Sequence, residues 1–130
     1  AQILELMKDL QKDLGMSIVI ITHDLGVIGE MTSRVLVMYT GKVVEHASTD
    51  DIFYSARHPY TAGLLKSIPR IGKNKQLVPI RGSVPNMAAL PAGCYFEPRC
   101  PQAMDICSKQ EPGLYEAGAE HHVKCWLHKS

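Results

Sequence analysis

The sequence has no long hydrophobic run and no excess of charge of either sign. The apolar stretch at residues 18–21 has the length of a strand, whereas a membrane-spanning helix needs roughly 20 apolar residues. Any membrane association is therefore expected to come through a partner. Lysine and arginine number 14, and aspartate and glutamate 13, which leaves a formal net charge of +1. We expect no nucleic acid partner, because proteins that bind nucleic acid concentrate basic residues on one surface.

The composition is that of a folded protein. Apolar residues make up 45% of the 130 residues and charged residues 21%, close to the averages for globular domains, so a core is expected. Residues 2–7 already follow a helical pattern, and no capping residue precedes them as one normally does. We therefore expect residue 1 to lie inside a larger protein.

The first 33 residues predict two helices around one strand. Residues 17–21 predict a buried strand because they are mostly apolar and β-branched, and a helix is expected at 25–33. Helix, short glycine turn and buried strand together favour an α/β fold with a parallel sheet. The first helix ends before Gly15, and its apolar positions recur at helical spacing, at Ile3, Leu6, Met7, Leu10 and Leu14.

The next stretch predicts a hairpin and two further helices. Strands are expected at 34–39 and 43–47, on either side of a tight turn. Ser48 is suited to cap the helix that follows, and Pro59 lies near the start of another helix that ends near residue 68. From residue 69 to 101 prolines recur, so we expect irregular chain with short extended pieces such as 77–81.

His23 and Asp24 directly follow the predicted strand, at the sheet edge where α/β proteins place their ligands. An imidazole there can donate a hydrogen bond to phosphate or transfer a proton near neutral pH. Asp24 is suited to cap the next helix. The alternative is that the pair forms only a capping turn.

All four cysteines lie in the last third of the chain with the spacing C-x5-C-x6-C-x17-C, at Cys94, Cys100, Cys107 and Cys125. Four thiolates suit either tetrahedral zinc or a [4Fe–4S] cluster, although the absence of a C-x2–4-C pair makes zinc less favoured. Two disulfides and unrelated buried thiols are the alternatives.

Basic residues lie beside two of these cysteines. Arg99 and Lys124 are expected to lower the pKa of the adjacent thiols. Three histidines near the end, at positions 121, 122 and 128, could replace a cysteine as zinc ligands, but we interpret His121, His122 and His128 as solvated tail residues.

Three segments resemble one protein family. Residues 20–25 and 34–45 resemble the switch-histidine region of ABC transporter ATPases. Residues 58–65, H-P-Y-T-A-G-L-L, and residues 91–101, P-A-G-C-Y-F-E-P-R-C-P, are similar to the oligopeptide and dipeptide branch of that family. The match covers essentially the whole chain in collinear order, and relatives that import nickel are close to this branch.

The resemblance implies a fold class and a division of the chain. It implies an α/β fold in which residues 1–68 form the C-terminal part of a P-loop ABC ATPase domain. An irregular cysteine-rich extension would occupy residues 69–130. In the whole protein His23 would be the switch histidine that contacts the γ-phosphate of ATP, with Asp24 steadying the turn. ATP and magnesium would be the cofactors there.

The resemblance also implies partners. These are transmembrane permease subunits and a second ATP-binding subunit, with a peptide-binding protein acting indirectly. The expected location is peripheral, on the cytoplasmic face of the cell membrane. It further implies a [4Fe–4S] cluster on the four cysteines, with zinc as the alternative.

The departures from the family pattern limit the chemistry of these 130 residues. They contain no G-x-x-x-x-G-K-[ST] loop, no L-S-G-G-Q signature and no apolar strand ending in Asp-Glu. We therefore expect the chain to lack ATP hydrolysis by itself and to self-associate through uncovered apolar surface. The alternative function is that of an autonomous four-cysteine protein that binds a metal or serves in redox chemistry.

Overall fold

A computed structural model describes residues 2–69 and 76–130. The part of the predicted irregular segment at 70–75 lies outside the described residues. The chain divides into two compact units, Ala1–Ser33 and Arg34–Ser130. No helix within the described residues has the length and apolar character needed to cross a bilayer.

The first unit contains two helices, as predicted. Helix α1 spans Gln2–Leu14, and Gly15 follows it with a φ of 61°, a left-handed conformation that favours glycine at a helix end. Helix α2 spans Leu25–Met31 and ends two residues earlier than expected. Helix α1 buries none of its residues, so its apolar stripe lies on the surface of this unit.

The predicted buried strand at residues 17–21 is wrong for the described structure. These residues form neither helix nor strand. Val19 is 90% exposed and Ile21 97% exposed. A parallel strand is formed by its hydrogen-bonded neighbours, and no described residue pairs with this segment. An apolar, β-branched run is therefore not sufficient to make a strand.

The second unit contains a four-stranded sheet in the order β1-β2-β4-β3. Its strands are β1 (Arg34–Tyr39), β2 (Lys42–Ser48), β3 (Tyr115–Gly118) and β4 (His121–Val123). Every pairing in it is antiparallel, so the expected parallel sheet is not found among the described residues.

The predicted hairpin of β1 and β2 is confirmed. Tyr39 pairs with Lys42, and the two turn residues Thr40 and Gly41 have φ values of 45° and 79°. Positive φ at both central positions is the geometry of a two-residue turn that matches the strand twist.

The described part of the second unit also contains three helices: α3 (Thr49–Ser55), α4 (Pro59–Lys66) and α5 (Asp105–Lys109). Ser48 caps α3 as predicted, since its hydroxyl oxygen accepts from the Asp51 amide at 3.1 Å. Pro59 is in the first turn of α4, where a missing amide hydrogen costs nothing. Short 3-10 turns occur at Glu97–Arg99 and Trp126–His128.

The cysteine-rich region is more regular than the sequence predicts. Strand β4 pairs with β2, placing His122 opposite His46 and Val123 opposite Glu45. The expectation of an irregular extension is therefore wrong for residues 105–128, which contribute a helix and two strands. Strand β3 pairs with the nearby β4, whereas β4 also pairs with β2, more than 70 residues away, and no local pattern reveals that second pairing. The pairing of β2 with β4 joins residues on either side of the domain boundary predicted between residues 68 and 69. That boundary stays a prediction from the sequence.

The core of the second unit is built around Phe96, which is 2% exposed. The Phe96 ring contacts Tyr39 edge to face, with centroids 5.3 Å apart, and Tyr60 at 5.4 Å. These residues come from the loop before a 3-10 turn, from β1 and from α4. The cysteine-rich region is thus packed directly against the hairpin, which positions the thiols described next.

Candidate functional site

Two candidate sites lie in different units, and the first is the turn that carries His23. Asp24 is the N-cap of α2: its Oδ1 accepts from the Gly26 amide at 2.8 Å and from the Val27 amide at 3.2 Å. The Thr22 hydroxyl in turn accepts from the Asp24 amide at 3.0 Å. The capping role predicted for Asp24 is confirmed, and the His23 ring is exposed on this braced turn.

The second site is a cavity in the other unit, which we call the thiol cavity. All four cysteines line it, together with His58 and Trp126. Their backbones come from separate places: the loop before a 3-10 turn, the end of that turn, helix α5 and the chain after β4. All four are free thiols in the structure. The fold thus brings together residues that the sequence separates by up to 31 positions.

Backbone amides point at each sulfur of the thiol cavity. The Met104 amide donates to the Cys107 sulfur at 3.4 Å. The amide two residues further along the chain donates to each of Cys94, Cys100 and Cys125. Hydrogen bonds of this kind stabilise a thiolate and surround the sulfurs of metal-bound cysteines.

Burial nevertheless favours the protonated form of three of these thiols, those of Cys94, Cys100 and Cys125. It raises the pKa of Cys94 and Cys100, and that of Cys125 to about 11. A charge on one sulfur raises the pKa of its neighbours further. These increases outweigh the amide hydrogen bonds, because the described residues that line the cavity include no lysine or arginine.

The predicted effect of Arg99 and Lys124 on the thiols is wrong. The Arg99 guanidinium donates to the Arg81 carbonyl at 3.0 Å and to the Tyr39 hydroxyl at 3.3 Å. Lys124 pairs with Glu111 at 3.1 Å. Both charges are therefore directed to other partners, since adjacency in sequence does not fix where a long side chain points.

Cys94 and Cys107 are held together through their backbones. The Cys94 amide donates to the Cys107 carbonyl at 2.7 Å. A Cβ atom placed on Gly93 would lie 2.1 Å from that same carbonyl oxygen, far inside contact distance. Only glycine permits this close approach, so Gly93 is a structural requirement of the thiol cavity.

His58 links helix α4 to the thiol cavity. Its Nδ1 accepts from the Tyr60 amide at 3.0 Å, and its ring also hydrogen-bonds to the backbone of Lys124, next to Cys125. Because Nδ1 accepts, the other ring nitrogen carries the proton and the ring is neutral. Burial lowers the pKa of His58 to about 4, against the opposing effect of Glu45.

Glu45 is a buried carboxylate that sequence reasoning missed. It is 0% exposed and accepts from the amides of Arg57 at 2.7 Å and His58 at 3.0 Å. His121 Nε2 lies 2.6 Å from Oε1, the oxygen that also accepts from the Arg57 amide, and His121 is 3% exposed, so the interpretation of His121 as a solvated tail residue is wrong. The available signal was an acidic residue inside an apolar strand, where a charge needs a partner.

The side chains of the thiol cavity are of a type that binds metals, but the spacing between them in the structure does not suit a metal ion. Four thiols with amide partners are a suitable donor set. Yet no group of three or more His, Cys, Asp or Glu side chains within residues 2–69 and 76–130 is arranged to hold a metal ion. A metal would require the sulfurs to move closer together.

Comparisons with known proteins place the chain in a family. Residues 44–107 match the family described as oligopeptide/dipeptide transporter, C-terminal region. The chain is similar to the oligopeptide transport ATP-binding protein AppD of Bacillus subtilis (strain 168), with 52% identity over 130 residues, 99% of this chain and 40% of that protein. It is also similar to the dipeptide transport ATP-binding protein DppD of the same organism, with 47% identity over 128 residues, 98% of this chain and 38% of that protein.

A third relative comes from a distant organism. The oligopeptide transport ATP-binding protein OppD of Mycobacterium tuberculosis (strain ATCC 25618 / H37Rv) is 46% identical over 127 residues, 96% of this chain and 21% of that protein. The chain belongs to the family of oligopeptide and dipeptide ABC transporter ATP-binding proteins. It spans at most 40% of the length of these relatives.

Proposed function

We propose that this chain is the C-terminal part of an ATP-binding subunit that energises the import of peptides. The observation that carries the proposal is the 52% identity to a peptide-transport ATP-binding protein over 99% of the chain. That match includes both the His23 turn and the cysteine-rich region. It favours the transporter over an autonomous four-cysteine protein, because the likeness is not confined to the cysteines.

The proposed partners follow from that role. They are transmembrane permease subunits and a second ATP-binding subunit, with a peptide-binding protein acting indirectly. The chain would lie at the cytoplasmic face of the membrane as a peripheral component. The absence of a spanning helix within the described residues is compatible with that placement.

His23 would contact the γ-phosphate of ATP in the whole subunit, where the rest of the protein holds ATP and magnesium. The support is the exposed ring on a turn that Asp24 braces through two amide hydrogen bonds. Phosphoryl transfer depends on positioned donors, so a fixed imidazole is a suitable group. Asp24 would act only by positioning.

The test uses the whole subunit reconstituted with its permease. His23→Ala is expected to lower ATP turnover by about 100-fold, the typical cost of losing one charge-stabilising donor, and to leave ATP binding unchanged. His46→Ala is the control, since His46 lies in the other unit. Unchanged turnover in the His23 variant would refute its role. The isolated 130-residue chain is expected to show no ATP hydrolysis, and hydrolysis abolished by His23→Ala would overturn that expectation.

A second proposal concerns the thiol cavity: Cys94, Cys100, Cys107 and Cys125 would hold a [4Fe–4S] cluster, with zinc as the alternative. The support is that four thiols line one cavity and each accepts an amide hydrogen bond. A bound metal would supply the positive charge that these thiols lack. The residues themselves would tie four separate backbone segments into one structure.

Anaerobic purification followed by iron, sulfide and zinc analysis tests the second proposal. Stoichiometric iron and sulfide are expected, and Cys125→Ser is expected to remove them. Ser108→Ala is the control, because its hydroxyl donates to the Asp105 carbonyl outside the cavity. Colourless protein with zinc would select the alternative. Protein without any metal would contradict both versions.

A further inference from the structure

We propose that Cys94 and Cys107 form a reversible disulfide when the metal-free chain meets a peroxide. This pair would then be the oxidised form of the thiol cavity. Two of the four thiols would be consumed, so oxidation and metal binding would exclude each other. That last consequence rests on the proposed metal site, whereas the disulfide itself does not.

The backbone contact places the two residues at bridging distance. The Cys94 amide lies 2.7 Å from the Cys107 carbonyl oxygen. The N–Cα, C=O and Cα–C bonds on the two sides add about 4.2 Å to that distance, so the two Cα atoms lie at most about 6.9 Å apart. Native disulfides span Cα distances of about 4.4 to 6.8 Å, so the bond can form without a large backbone movement. Both side chains line the same cavity, which directs the sulfurs toward a common space.

The pair is selected among the four thiols by this contact. Among the described residues, Cys94 and Cys107 are the two cysteines joined directly by a backbone hydrogen bond. Gly93 permits the approach, since any Cβ there would collide with the Cys107 carbonyl. Cys100 interacts electrostatically with both Cys94 and Cys107, so it is the main competitor for forming a disulfide with either of them.

Access sets the order of the two chemical steps. Cys94 is partly exposed and Cys107 is buried. A peroxide ROOH would oxidise Cys94 through the small fraction of its side chain that is thiolate, forming a sulfenic acid and leaving as the alcohol ROH; because burial raises the pKa of Cys94, this step is slow at neutral pH. The Cys107 thiol would then attack the Cys94 sulfur, forming the S–S bond and releasing one water. The peroxide takes both electrons, so atoms and charge balance.

Peptide mapping identifies the bond. The metal-free 130-residue chain is treated with hydrogen peroxide, alkylated, and digested with trypsin and Asp-N without reduction. Cleavage after Arg81, Arg99, Lys109 and Lys124 and before Asp105 separates all four cysteines into different peptides. The expected product joins peptide 82–99 to peptide 105–109, with a fall from four alkylatable thiols to two that dithiothreitol reverses.

Variants decide between this pair and its competitors. Cys100→Ser and Cys125→Ser should retain the linked peptides, and Cys107→Ser should lose them. Gly93→Ala should slow the cross-link, whereas Gly113→Ala is the matched control because its Cβ would meet only the Tyr115 ring at 3.5 Å. A main product that contains peptide 100–104 or 125–129 would overturn the proposal. So would four thiols that remain alkylatable, or irreversible sulfinic acid.

A zinc competition separates this proposal from the metal site. If both hold, zinc-loaded chain should resist cross-linking and the oxidised chain should not take up zinc. Zinc uptake by the oxidised chain would refute the mutual exclusion. A chain that cross-links as expected but takes up neither zinc nor iron would remove the metal site and leave the disulfide established.

Discussion

The two units of the chain use similar apolar patterns with opposite results. Helix α1 carries a helical stripe of apolar residues, yet none is buried, and Ile3 is 73% exposed. In the second unit Ile52 is 1% exposed and Val123 0%. The spacing of apolar residues predicts which face of a helix or strand can be buried, but that face is buried only where another surface packs against it. Stability should therefore reside in the second unit.

The largest expected difference comes from truncating the core. Phe96→Ala should lower the free energy of unfolding by about 3 to 5 kcal/mol, because it removes a fully buried ring. Leu10→Ala on α1, where the side chain is 43% exposed, should cost less than about 1 kcal/mol. Urea unfolding followed by fluorescence of the single tryptophan measures the first, and far-UV dichroism the second. Equal costs would contradict the comparison.

Charge substitutions should show the same contrast at a smaller scale. Glu45→Gln weakens a buried carboxylate contact with His121 and should cost about 3 kcal/mol. Glu30→Gln removes a pair with Lys8 in which both side chains are about half exposed, and should cost less than about 1 kcal/mol. Urea unfolding of the two variants checks this. If Glu45→Gln lowered the free energy of unfolding by less than Glu30→Gln does, the buried pair of Glu45 and His121 would contribute little to stability.

Acid should destabilise the second unit through His58. Its folded pKa is lowered to about 4 from 6.5, so the unfolded state binds the proton more readily. The contribution of neutral His58 to the free energy of unfolding is therefore fully present above the unfolded pKa. It is lost as the pH falls from about 6.5 toward 4. The slope from this group is at most about 1.4 kcal/mol per pH unit.

Urea unfolding between pH 7.5 and 4.5 measures that slope. His58→Asn keeps a capping side chain but does not titrate, so its slope should be shallower. The matched control is Ser67→Ala at the end of α4, which removes a hydroxyl that donates to the Leu64 carbonyl but no titratable group, so it should retain the slope of the unaltered chain. A His58 variant with an unchanged slope would assign the acid sensitivity to other groups.

The smallest effect is expected at the cap of α2. Asp24→Ala removes an acceptor for the Gly26 and Val27 amides and should cost about 1 kcal/mol of local stability. Hydrogen exchange of those two amides should accelerate about five-fold, since RT is about 0.6 kcal/mol. Ser48→Ala, which removes the cap of α3, serves for comparison in the second unit. Faster exchange spread over the whole chain would mean that the effect is not local.

Local features were predictable from the sequence, and long-range ones were not. The β1–β2 hairpin, the cap by Asp24 and the cap by Ser48 follow from residues within a few positions of each other. The strand expected at residues 17–21 failed because its partners are not specified by its own residues. The pairing of β4 with β2 was missed for the same reason, and with it the burial of His121.

The candidate sites divide in the same way. The sequence identified the four cysteines and their chemistry as a set, and it placed His23 on a capped turn. It could not give the direction of the thiol pKa shifts, because that direction depends on burial and on where Arg99 and Lys124 point. It also gave no reason to single out Cys94 and Cys107 among four equivalent residues.

The sequence by itself determined the family, the capped turns, the hairpin and the identity of the thiols, because each depends on residue types at short separation. The tertiary structure alone decided that the cysteine-rich region completes the sheet and packs Phe96 against the hairpin and α4. It also decided that His58 and Glu45 are buried partners, and that Cys94 lies against Cys107 at a distance that only glycine at position 93 permits. These features depend on which distant surfaces meet, and solvent exclusion there sets protonation and packing.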